Sequence, residues 1–258
     1  MRIVAEQPVA GGDIHAAFRA RTDDGRVVFV KRGTGVPADM FEAEAAGLDW
    51  LRGGSLRVPE VIEVAPDHLV LEWLELGGNP DPARFGRGLA ELHARGAPSF
   101  GLARGNYLAT LPQDNTPEPD WPTFYVERRL RPLCARARLG ADALLDRLRA
   151  RPDAFGPPEP PARLHGDLWW GNVGAGPAIF DPAVYGGHRE IDLAMLALFG
   201  GLPAALVDAY EEVTPLAGGW RERVALHQLC PLAAHACLFG GSYGSRVLAI
   251  LAGVGAAR

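Results

Sequence analysis

Apolar and polar residues alternate near the start of the chain in a pattern that predicts a small antiparallel sheet. Residues 16–20 and 26–32 have the pattern of two strands, joined by the turn Asp23-Asp24-Gly25. Residues 58–64 and 68–74 predict two more strands. The first part of the chain is therefore expected to contain a hairpin and two further strands.

A single helix is expected between these two pairs of strands. Asp39 fits an N-cap, and Glu42, three residues later, completes a capping box, while Gly53-Gly54 ends the helix after Arg52. At about 100° per residue, one helix face carries Phe41, Glu44, Ala45, Leu48 and Leu51. Glu44 is thus a carboxylate on the face that is predicted to be buried.

Turn-forming residues at 77–82 separate this part of the chain from a mainly helical one. Helices are expected at 83–95, 123–139, 141–151, 192–199, 203–213 and 220–238, the last with a kink at Pro231. We therefore expect an α+β chain with an N-terminal lobe at 1–76 and a C-terminal lobe at 77–258.

Composition indicates a globular protein and excludes several function classes. Of the 258 residues, 48% are hydrophobic and 22% are charged, which is enough to bury a core. A net charge of −5 without a basic cluster argues against a nucleic-acid surface. The three cysteines lack metal or disulfide spacing, and no apolar stretch fits a signal peptide or a membrane span. We expect a cytoplasmic protein that binds neither nucleic acid nor membrane; its oligomeric state stays open.

Lys31 is the only lysine in the chain, since the other 25 of the 26 basic residues are arginine. It lies late on the second predicted strand, just before the helix that carries Glu44. A compact ammonium suits a phosphate as a point contact, whereas the guanidinium is a planar fork. A chance survivor of arginine-rich codon usage is the alternative. Lys31 is therefore a candidate phosphate ligand.

The segment from His165 to Asn172 has the spacing H-x-D-x-x-x-x-N, and the apolar run 178–180 then leads to Asp181. Protein kinases have this spacing in their catalytic loop. In phosphoryl transfer the first Asp receives or orients the acceptor hydroxyl, while the Asn and the later Asp hold Mg²⁺ against the phosphates of ATP. The sequence therefore assigns these roles to Asp167, Asn172 and Asp181.

Each of these residues also has an ordinary structural explanation. Asp167 could cap a turn, Asn172 could occupy a loop position, and Glu44 could be a partly exposed carboxylate. The pair Gly11-Gly12 could be no more than a turn. Their occurrence together with Lys31 makes phosphoryl transfer the stronger interpretation.

Over nearly its whole length the chain resembles the fructosamine kinases, also called ketosamine kinases. The resemblance rests on strings such as TDDGRVVFVKR from Thr22, FEAEAAGLDWL from Phe41, NYLATLPQDN from Asn106, DWPTFYVERRL from Asp120, LHGDLWWGNV from Leu164 and LHQLCPLAAHACLFGGSYG from Leu226. The strings DPA and GHREIDLAM, from Asp181 onward, distinguish it from protein kinases. It implies a two-lobed protein-kinase-like α+β fold, with an antiparallel sheet and one helix in the small lobe and a larger, mainly helical C-lobe.

The resemblance also implies a role for each matching residue. Asp167 would be the catalytic base, and Asn172 and Asp181 would bind Mg²⁺. Lys31, paired with Glu44, would hold the phosphates of ATP. The other nucleotide contacts would come from a loop with Gly11 and Gly12 and from the backbone of a hinge formed by Glu72, Trp73 and Leu74.

Candidates for the acceptor wall lie around the same loop. They are Trp169, Trp170, Tyr185, His188 and Arg189. Aromatic faces suit the polyhydroxylated, cationic adduct of a sugar and an amine, although aromatic rings near a catalytic loop also form ordinary core. The family usually has a small residue where Trp170 stands and a tyrosine where Gly186 stands, so the acceptor preference stays open.

Other polar residues near these motifs are interpreted as structural. His165 and Asp192 are expected to brace the catalytic loop through hydrogen bonds. His93, His227 and His235 are interpreted as residues of helix faces or of the core.

The expected function is an ATP- and Mg²⁺-dependent kinase for a sugar hydroxyl of ketosamines. The acceptor would be the 3-hydroxyl of a ribulosamine or fructosamine, free or on a glycated lysine, and phosphorylation would lead to deglycation. Two alternatives stay open: a kinase of the same fold for another hydroxyl metabolite, such as an aminoglycoside or choline, and a non-catalytic ATP-binding pseudokinase. A two-metal phosphoesterase is excluded because the GD and GN pairs crowd into one loop and leave too few ligands.

Overall fold

The computed structural model describes residues 1–9, 15–75, 77–78 and 80–256, and its first part is an antiparallel sheet. The strands are β1 (Ile3–Pro8), β2 (Ala16–Thr22), β3 (Val27–Arg32), β4 (Val61–Ala65) and β5 (His68–Glu72). They lie in the order β1-β2-β3-β5-β4. The four predicted strands are confirmed. Strand β1 was not predicted, because at the sheet edge nearly all its side chains are exposed and no alternation results.

One helix, α1 (Met40–Leu51), packs against β4 and β5 and buries the predicted apolar face. The predicted capping box is wrong. Asp39 accepts a hydrogen bond from the hydroxyl of Tyr107 at 2.6 Å, and Glu42 forms an ion pair with Arg104 at 3.0 Å. Neither carboxylate caps the helix, because partners from a later segment of the chain hold both.

The rest of the chain is mainly helical. Its helices are α2 (Pro82–Ala94), α3 (Trp121–Thr123), the π-helical stretch Phe124–Leu130, α4 (Arg131–Arg136), α5 (Asp142–Arg149), the 3₁₀ turn Pro152–Phe155, the 3₁₀ turn Trp170–Asn172, α6 (Glu190–Leu198), α7 (Ala204–Val213), α8 (Trp220–His227), α9 (Leu229–Phe239) and α10 (Tyr243–Ala256). Short strands lie between them: β6 (Asn106–Leu108), β7 (Leu111–Gln113), β8 (Ala162–Leu164), β9 (Val173–Gly174), β10 (Ala178–Ile179) and β11 (Tyr185–Gly187). The α+β prediction is confirmed.

The prediction of one kinked helix at 220–238 is wrong. The chain forms two helices, α8 and α9, and the break lies at Gln228, before Pro231. Pro231 occupies the first turn of α9, where the missing N–H costs no intrahelical hydrogen bond. Helix α10 was not predicted at all.

A buried apolar cluster joins the sheet-rich and the helical parts. Phe41 of α1 and Leu71 of β5 belong to the same cluster as Phe85 of α2 and Leu196 of α6. The two parts therefore share one buried cluster, although each also has a cluster of its own, one within the sheet and one among the helices. The exact boundary at 76/77 stays a proposal, and residue 76 lies outside the described residues.

The short strands position the loop that carries the kinase-like motif. Strand β8 leads into His165 and pairs with β11, while β9 and β10 form a hairpin that returns the chain to Asp181. Asp167, Asn172 and Asp181 are thus presented from one compact loop system. Among the described helices, none combines the length and the apolar character that spanning a bilayer requires.

Candidate active site

A cleft of about 990 Å³ lies between the sheet and the helical part. Its lining includes Phe29, Lys31 and Leu71 from the sheet, and Asp167 and Asp181 from the catalytic loop system. This volume lies at the upper end of the range for small-molecule sites. The cleft can therefore hold a nucleotide and a second small molecule together.

Lys31 lines this cleft and lies between two carboxylates. Its Nζ donates to Glu44 Oε2 at 2.8 Å and to Asp181 Oδ1 at 2.7 Å. The side chains of Lys31 and Glu44 are only 11% and 10% exposed, whereas that of Asp181 is 53% exposed. The pair of Lys31 with Glu44 is present as the sequence predicted. It joins β3, α1 and the loop after β10 at one point.

Charge interactions within this triad determine its protonation states. Burial works against the ammonium of Lys31, but Asp181 and Glu44 outweigh it and raise its pKa. Partial burial also works against an ionised Asp181, yet the charge and hydrogen bond of Lys31 hold the pKa of Asp181 below its ordinary value. For Glu44 burial is the larger effect and raises the pKa. Lys31 therefore stays an ammonium beside an ionised Asp181.

Asp167 and Asn172 face the same cleft from the catalytic loop. Asn172 Nδ2 donates to the backbone oxygen of Asp167 at 2.9 Å and to its Oδ2 at 3.3 Å. Burial, followed by the charges of Asp181 and Asp192, raises the pKa of Asp167 to about 7, against the opposing effects of Asn172 and Lys31. A carboxylate with a pKa near neutrality is suited to accept a proton from a hydroxyl.

The loop that carries Asp167 is braced by Asp192 in the first turn of α6. Asp192 accepts hydrogen bonds from the amide of His165 at 2.8 Å and from that of Gly166 at 3.0 Å. The imidazole of His165 lies 3.0 Å from the oxygen of Phe180. At Gly166, φ is +82°, and a Cβ would lie 2.1 Å from the backbone oxygen of Ala183, so only glycine fits. These contacts support the bracing roles predicted for His165 and Asp192.

Asn172 and Asp181 each have one side-chain oxygen that can bind a Mg²⁺ ion. The hydrogen bond of Asn172 uses its Nδ2 atom, and the ion pair of Asp181 with Lys31 uses Oδ1. Within the described part of the chain, Asn172 Oδ1 and Asp181 Oδ2 have no hydrogen-bond partner. Two hard oxygen ligands from the protein are the usual contribution to Mg²⁺, which takes its other ligands from phosphate and water.

The predicted hinge lines the cleft, with its side chains engaged elsewhere. Glu72 forms an ion pair with Arg57, and Trp73 Nε1 donates to Glu75 Oε1 at 2.9 Å. Leu74 is buried, and all three hinge residues border the cleft. The chain leaves the sheet after Glu72, so the backbone that follows is the part available to a ligand. Gly11 and Gly12 lie outside the described residues.

Two of the five acceptor-wall candidates line the cleft. Trp169 does so with 41% of its surface exposed. Tyr185 is 1% exposed, and its ring lies under the guanidinium of Arg129 at 4.2 Å, so only its edge borders the cleft. Trp170 packs instead on Phe85 and donates from Nε1 to the backbone oxygen of Gly201 at 3.0 Å. The assignment of Trp170 to the wall is wrong, because its indole is turned away from the cleft.

The assignment of Arg189 to the acceptor wall is also wrong. Its guanidinium forms two hydrogen bonds to the carboxylate of Glu159, at 2.7 and 2.8 Å, and two more to the backbone oxygens of Thr214 and Pro215. Arg189 is buried and does not belong to the cleft lining. Arg189 lies near the catalytic-loop motif in sequence, but Glu159 and the segment after α7 hold its side chain outside the cleft.

His188 likewise lies outside the cleft, in a buried cluster with Glu190 and His227 whose ligand atoms are within 4.8 Å of one another. Arg223 donates to both oxygens of Glu190, at 3.0 and 2.5 Å. Burial and the neighbouring His227 lower the pKa of His188 to about 3. His188 Nδ1 accepts from the amide of Glu190 at 3.3 Å, so its proton is on Nε2, which cannot then bind a metal. The cluster is structural, and the assignment of His188 to the acceptor wall is wrong.

Sequence reasoning missed most of the far end of the cleft. That end is lined by Tyr107, Phe199, His235, Phe239 and Tyr243. The side chains of Phe199 and Phe239 are 38% and 58% exposed, which is unusual for large apolar residues. The motifs that contain Tyr107, Phe239 and Tyr243 were recognised, but aromatic residues on a short strand or at helix ends have the same sequence pattern as core residues. The interpretation of His235 as a helix-face or core residue missed its position in the lining.

Comparisons with known proteins agree with this geometry. A sequence profile of the fructosamine kinases matches residues 1–255. The Enterococcus faecium protein designated a probable ketoamine kinase is 39% identical over 256 residues, which cover 93% of this chain and 91% of the relative. The chloroplastic protein-ribulosamine 3-kinase of Arabidopsis thaliana is 34% identical, with 94% of this chain and 80% of the relative covered.

Solved structures show the same relationship. A Thermobifida fusca crystal structure with the fructosamine-3-kinase designation has 42% identity and a TM-score of 0.87, and covers 98% of this chain and 94% of its own. Macrolide 2′-phosphotransferase of Brachybacterium faecium, at 15% identity and a TM-score of 0.62 over 100% of this chain and 94% of its own, shares the fold alone. The two-lobed kinase-like fold is therefore confirmed. The chain belongs to the fructosamine kinase family, whose members are ATP-dependent phosphotransferases.

Proposed function

We propose that this protein transfers the γ-phosphoryl group of ATP to the 3-hydroxyl of a ketosamine, such as a ribulosamine or a fructosamine, and thereby leads to deglycation. The observation that carries the proposal is the position of Lys31, whose Nζ joins Glu44 and Asp181 in the same cleft as Asp167. One cleft thus offers an ammonium that can bind the phosphates of ATP and a carboxylate with a pKa of about 7 that can accept the proton of the acceptor.

Residues 1–76 would act as the ATP-binding lobe and residues 77–258 as the catalytic and acceptor-binding lobe. Lys31, held by Glu44, would contact the phosphates of ATP. The backbone after Glu72, through Trp73 and Leu74, would meet adenine, and the loop with Gly11 and Gly12 would cover the phosphates. Because the hinge side chains are engaged elsewhere, base recognition through the backbone is the arrangement we favour.

Asp167 would accept the proton of the acceptor hydroxyl as the phosphoryl group is transferred. The amide of Asn172 holds the carboxylate of Asp167 at 3.3 Å, which orients it toward the cleft. Asn172 Oδ1 and Asp181 Oδ2 would hold Mg²⁺, which when bound neutralises charge on the phosphates of ATP. Lys31 would supply a second positive charge there, since its pKa keeps it an ammonium.

The acceptor would lie between Asp167 and the aromatic end of the cleft. Of the four carboxylates in the described lining, Glu44 and Asp181 pair with Lys31 and Glu72 pairs with Arg57, which leaves Asp167 beside the acceptor. The carboxylate of Asp167 and an exposed face of Trp169 favour the secondary ammonium of a ketosamine, since a cation over an indole contributes about 0.5–2 kcal/mol. Tyr185 would border the sugar at the base of the wall.

Support for the 3-position comes from the designations of two relatives, which are named fructosamine-3-kinase and protein-ribulosamine 3-kinase. Support for deglycation is chemical. Phosphate leaves a carbon more readily than hydroxide does, so the 1,2-enaminol of the adduct loses a 3-phosphate by β-elimination, and water then hydrolyses the resulting imine to release the amine. The same acceptor could be a free amine adduct or a glycated lysine of a protein.

The experiment that tests this proposal is ADP release from Mg-ATP with a panel of acceptors. The panel contains Nε-ribulosyl-lysine, Nε-fructosyl-lysine, free ribose, choline and an aminoglycoside, with Asp167→Asn as the inactive control. We expect turnover with the two ketosamines alone. Turnover with choline or the aminoglycoside would replace the proposed acceptor, and ATP binding without turnover of any acceptor would favour a pseudokinase.

A further inference from the structure

The catalytic loop is attached to α6 and its continuation at two places. Asp192, in the first turn of α6, accepts from the amides of His165 and Gly166, at the start of the loop. Near its other end, Trp170 donates from Nε1 to the backbone oxygen of Gly201, three residues beyond α6, at 3.0 Å. The two attachments hold opposite ends of the loop against one helix.

The indole of Trp170 also determines which residues can follow α6. A Cβ on Gly200 would lie 2.6 Å from Cδ1 of Trp170, so only glycine fits against the indole at this position. Beneath, the ring of Trp170 packs on Phe85, with 5.9 Å between ring centroids. The segment just after Phe199 is therefore fixed between the indole and its hydrogen bond to Gly201.

Phe199, the residue just before this fixed segment, borders the cleft beside the catalytic loop. Its ring meets that of Trp169 edge to face, with 6.5 Å between centroids and 75° between planes. On its other side the ring of His235 lies 5.0 Å away. Trp169 and Phe199 are 41% and 38% exposed, and both line the cleft that contains Asp167. Together they form an open corner of two aromatic rings.

We infer that Phe199 contacts the amine-bearing part of the acceptor and that Trp170 is the positioning residue that holds Phe199 beside Trp169. The inference rests on the proposed function, and it makes the two-ring corner a determinant of specificity. A sugar oriented toward Asp167 leaves its amine substituent directed along the cleft, where the corner offers apolar faces. Acceptors with a long alkyl substituent on the amine gain this contact, and acceptors with a short one do not.

The test compares two acceptors that differ only in this substituent, Nε-ribulosyl-lysine and N-ribulosyl-methylamine. For Phe199→Ala we expect the KM of the lysine adduct to rise about tenfold, since burial of two methylene groups of the substituent at about 0.8 kcal/mol each corresponds to this factor. The KM of the methylamine adduct and the KM of ATP are expected to change less than about twofold, with kcat unchanged. Phe199→Leu, which keeps apolar area, should recover part of the loss.

Trp170→Phe tests the positioning role, because it keeps a ring but removes the hydrogen bond to Gly201. We expect the same selective rise in KM for the lysine adduct, about threefold, as one hydrogen bond contributes about 0.5–1.5 kcal/mol. The matched control is Trp220→Phe, at a buried indole outside the cleft lining. It should leave the ratio of the two KM values at the wild-type figure.

Two results would overturn the inference. One is an unchanged ratio of the two KM values in Phe199→Ala or in Trp170→Phe. The other is an equal loss with both acceptors and with ATP, which a general structural defect would produce. Failure of the proposed function is distinguishable, since wild-type enzyme would then turn over neither acceptor.

Discussion

The two ends of the cleft are built from different kinds of interaction. At the proposed nucleotide end, Lys31 is held by charged partners, Glu44 and Asp181, at 2.8 and 2.7 Å. At the proposed acceptor end the wall consists of aromatic rings from several elements, of which Phe199 and Phe239 are 38% and 58% exposed. One end fixes charge at defined points, and the other offers apolar area with little charge.

This difference determines how well each end can be predicted from the sequence and what substitutions there should affect. A buried ammonium is stable only with carboxylates close to it, so residue types and their order along the chain are restricted. An aromatic wall needs ring area and orientation, which many arrangements of residues supply. We therefore expect substitutions at the proposed nucleotide end and of Asp167 to affect catalysis. Substitutions in the aromatic wall should affect the choice of acceptor.

The largest effect is expected for Asp167→Asn, at the point where the two ends meet. The amide keeps the size of the side chain but cannot accept the proton of the hydroxyl, so kcat should fall about 10²–10⁴-fold. Nucleotide binding, measured by calorimetry, should stay close to wild type. Activity within about tenfold of wild type would show that Asp167 is not the base.

The next largest effect is expected for Lys31→Arg. A guanidinium is larger than an ammonium and planar, so its charge cannot take the position of the compact Nζ between Glu44 and Asp181, and kcat/KM for ATP should fall about 100-fold. Arg32→Lys is the matched control, because the neighbouring Arg32 pairs with the exposed Glu6. Wild-type kinetics in Lys31→Arg would mean that the single lysine of the chain is accidental.

The pH dependence should report the environment of Asp167. As the proposed base, Asp167 would be active in its ionised form, and burial with the charges of Asp181 and Asp192 raises its pKa to about 7. Hence kcat/KM should be level above this pH and fall about tenfold for each pH unit below it. An acidic limb near pH 4, the ordinary range of an exposed carboxyl, would contradict the described environment of this side chain.

Only a small kinetic effect is expected for Arg189, which lies outside the acceptor wall in the structure. Arg189→Ala breaks the buried pair with Glu159, so the free energy of unfolding should fall by about 3 kcal/mol. The KM of the acceptor should change less than about twofold in the folded fraction. A selective rise in that KM, with stability unchanged, would return Arg189 to the wall.

The sequence was sufficient to predict much of the nucleotide end. Lys31, Glu44, Asp167 and Asp181 lie in one cleft, as their spacing and the family resemblance predicted. Asp192 was also identified correctly as a brace. Lys31, Glu44, Asp167 and Asp192 could be found because each carries a charge whose burial demands a partner, whereas the half-exposed Asp181 was found from the spacing of the motif.

The features that the sequence did not predict depend on contacts between distant segments of the chain. Asp39 matched a capping box, but Tyr107 took its carboxylate, and no local pattern reveals such competition. His188 follows the catalytic loop closely, yet it faces His227 and not the cleft. Phe199 belongs to the wall but has the pattern of a core residue at a helix end. Direction of a side chain, unlike its position in the sequence, follows from tertiary packing.

The most direct test of the account is to determine where the phosphate is attached in the product formed from Nε-ribulosyl-lysine and Mg-ATP. Correlated ³¹P and ¹H NMR of the purified product identifies the esterified carbon. We predict one product, the 3-phosphate, which releases free lysine on standing. A phosphate on another hydroxyl, or a stable product that releases no lysine, would contradict the proposed reaction.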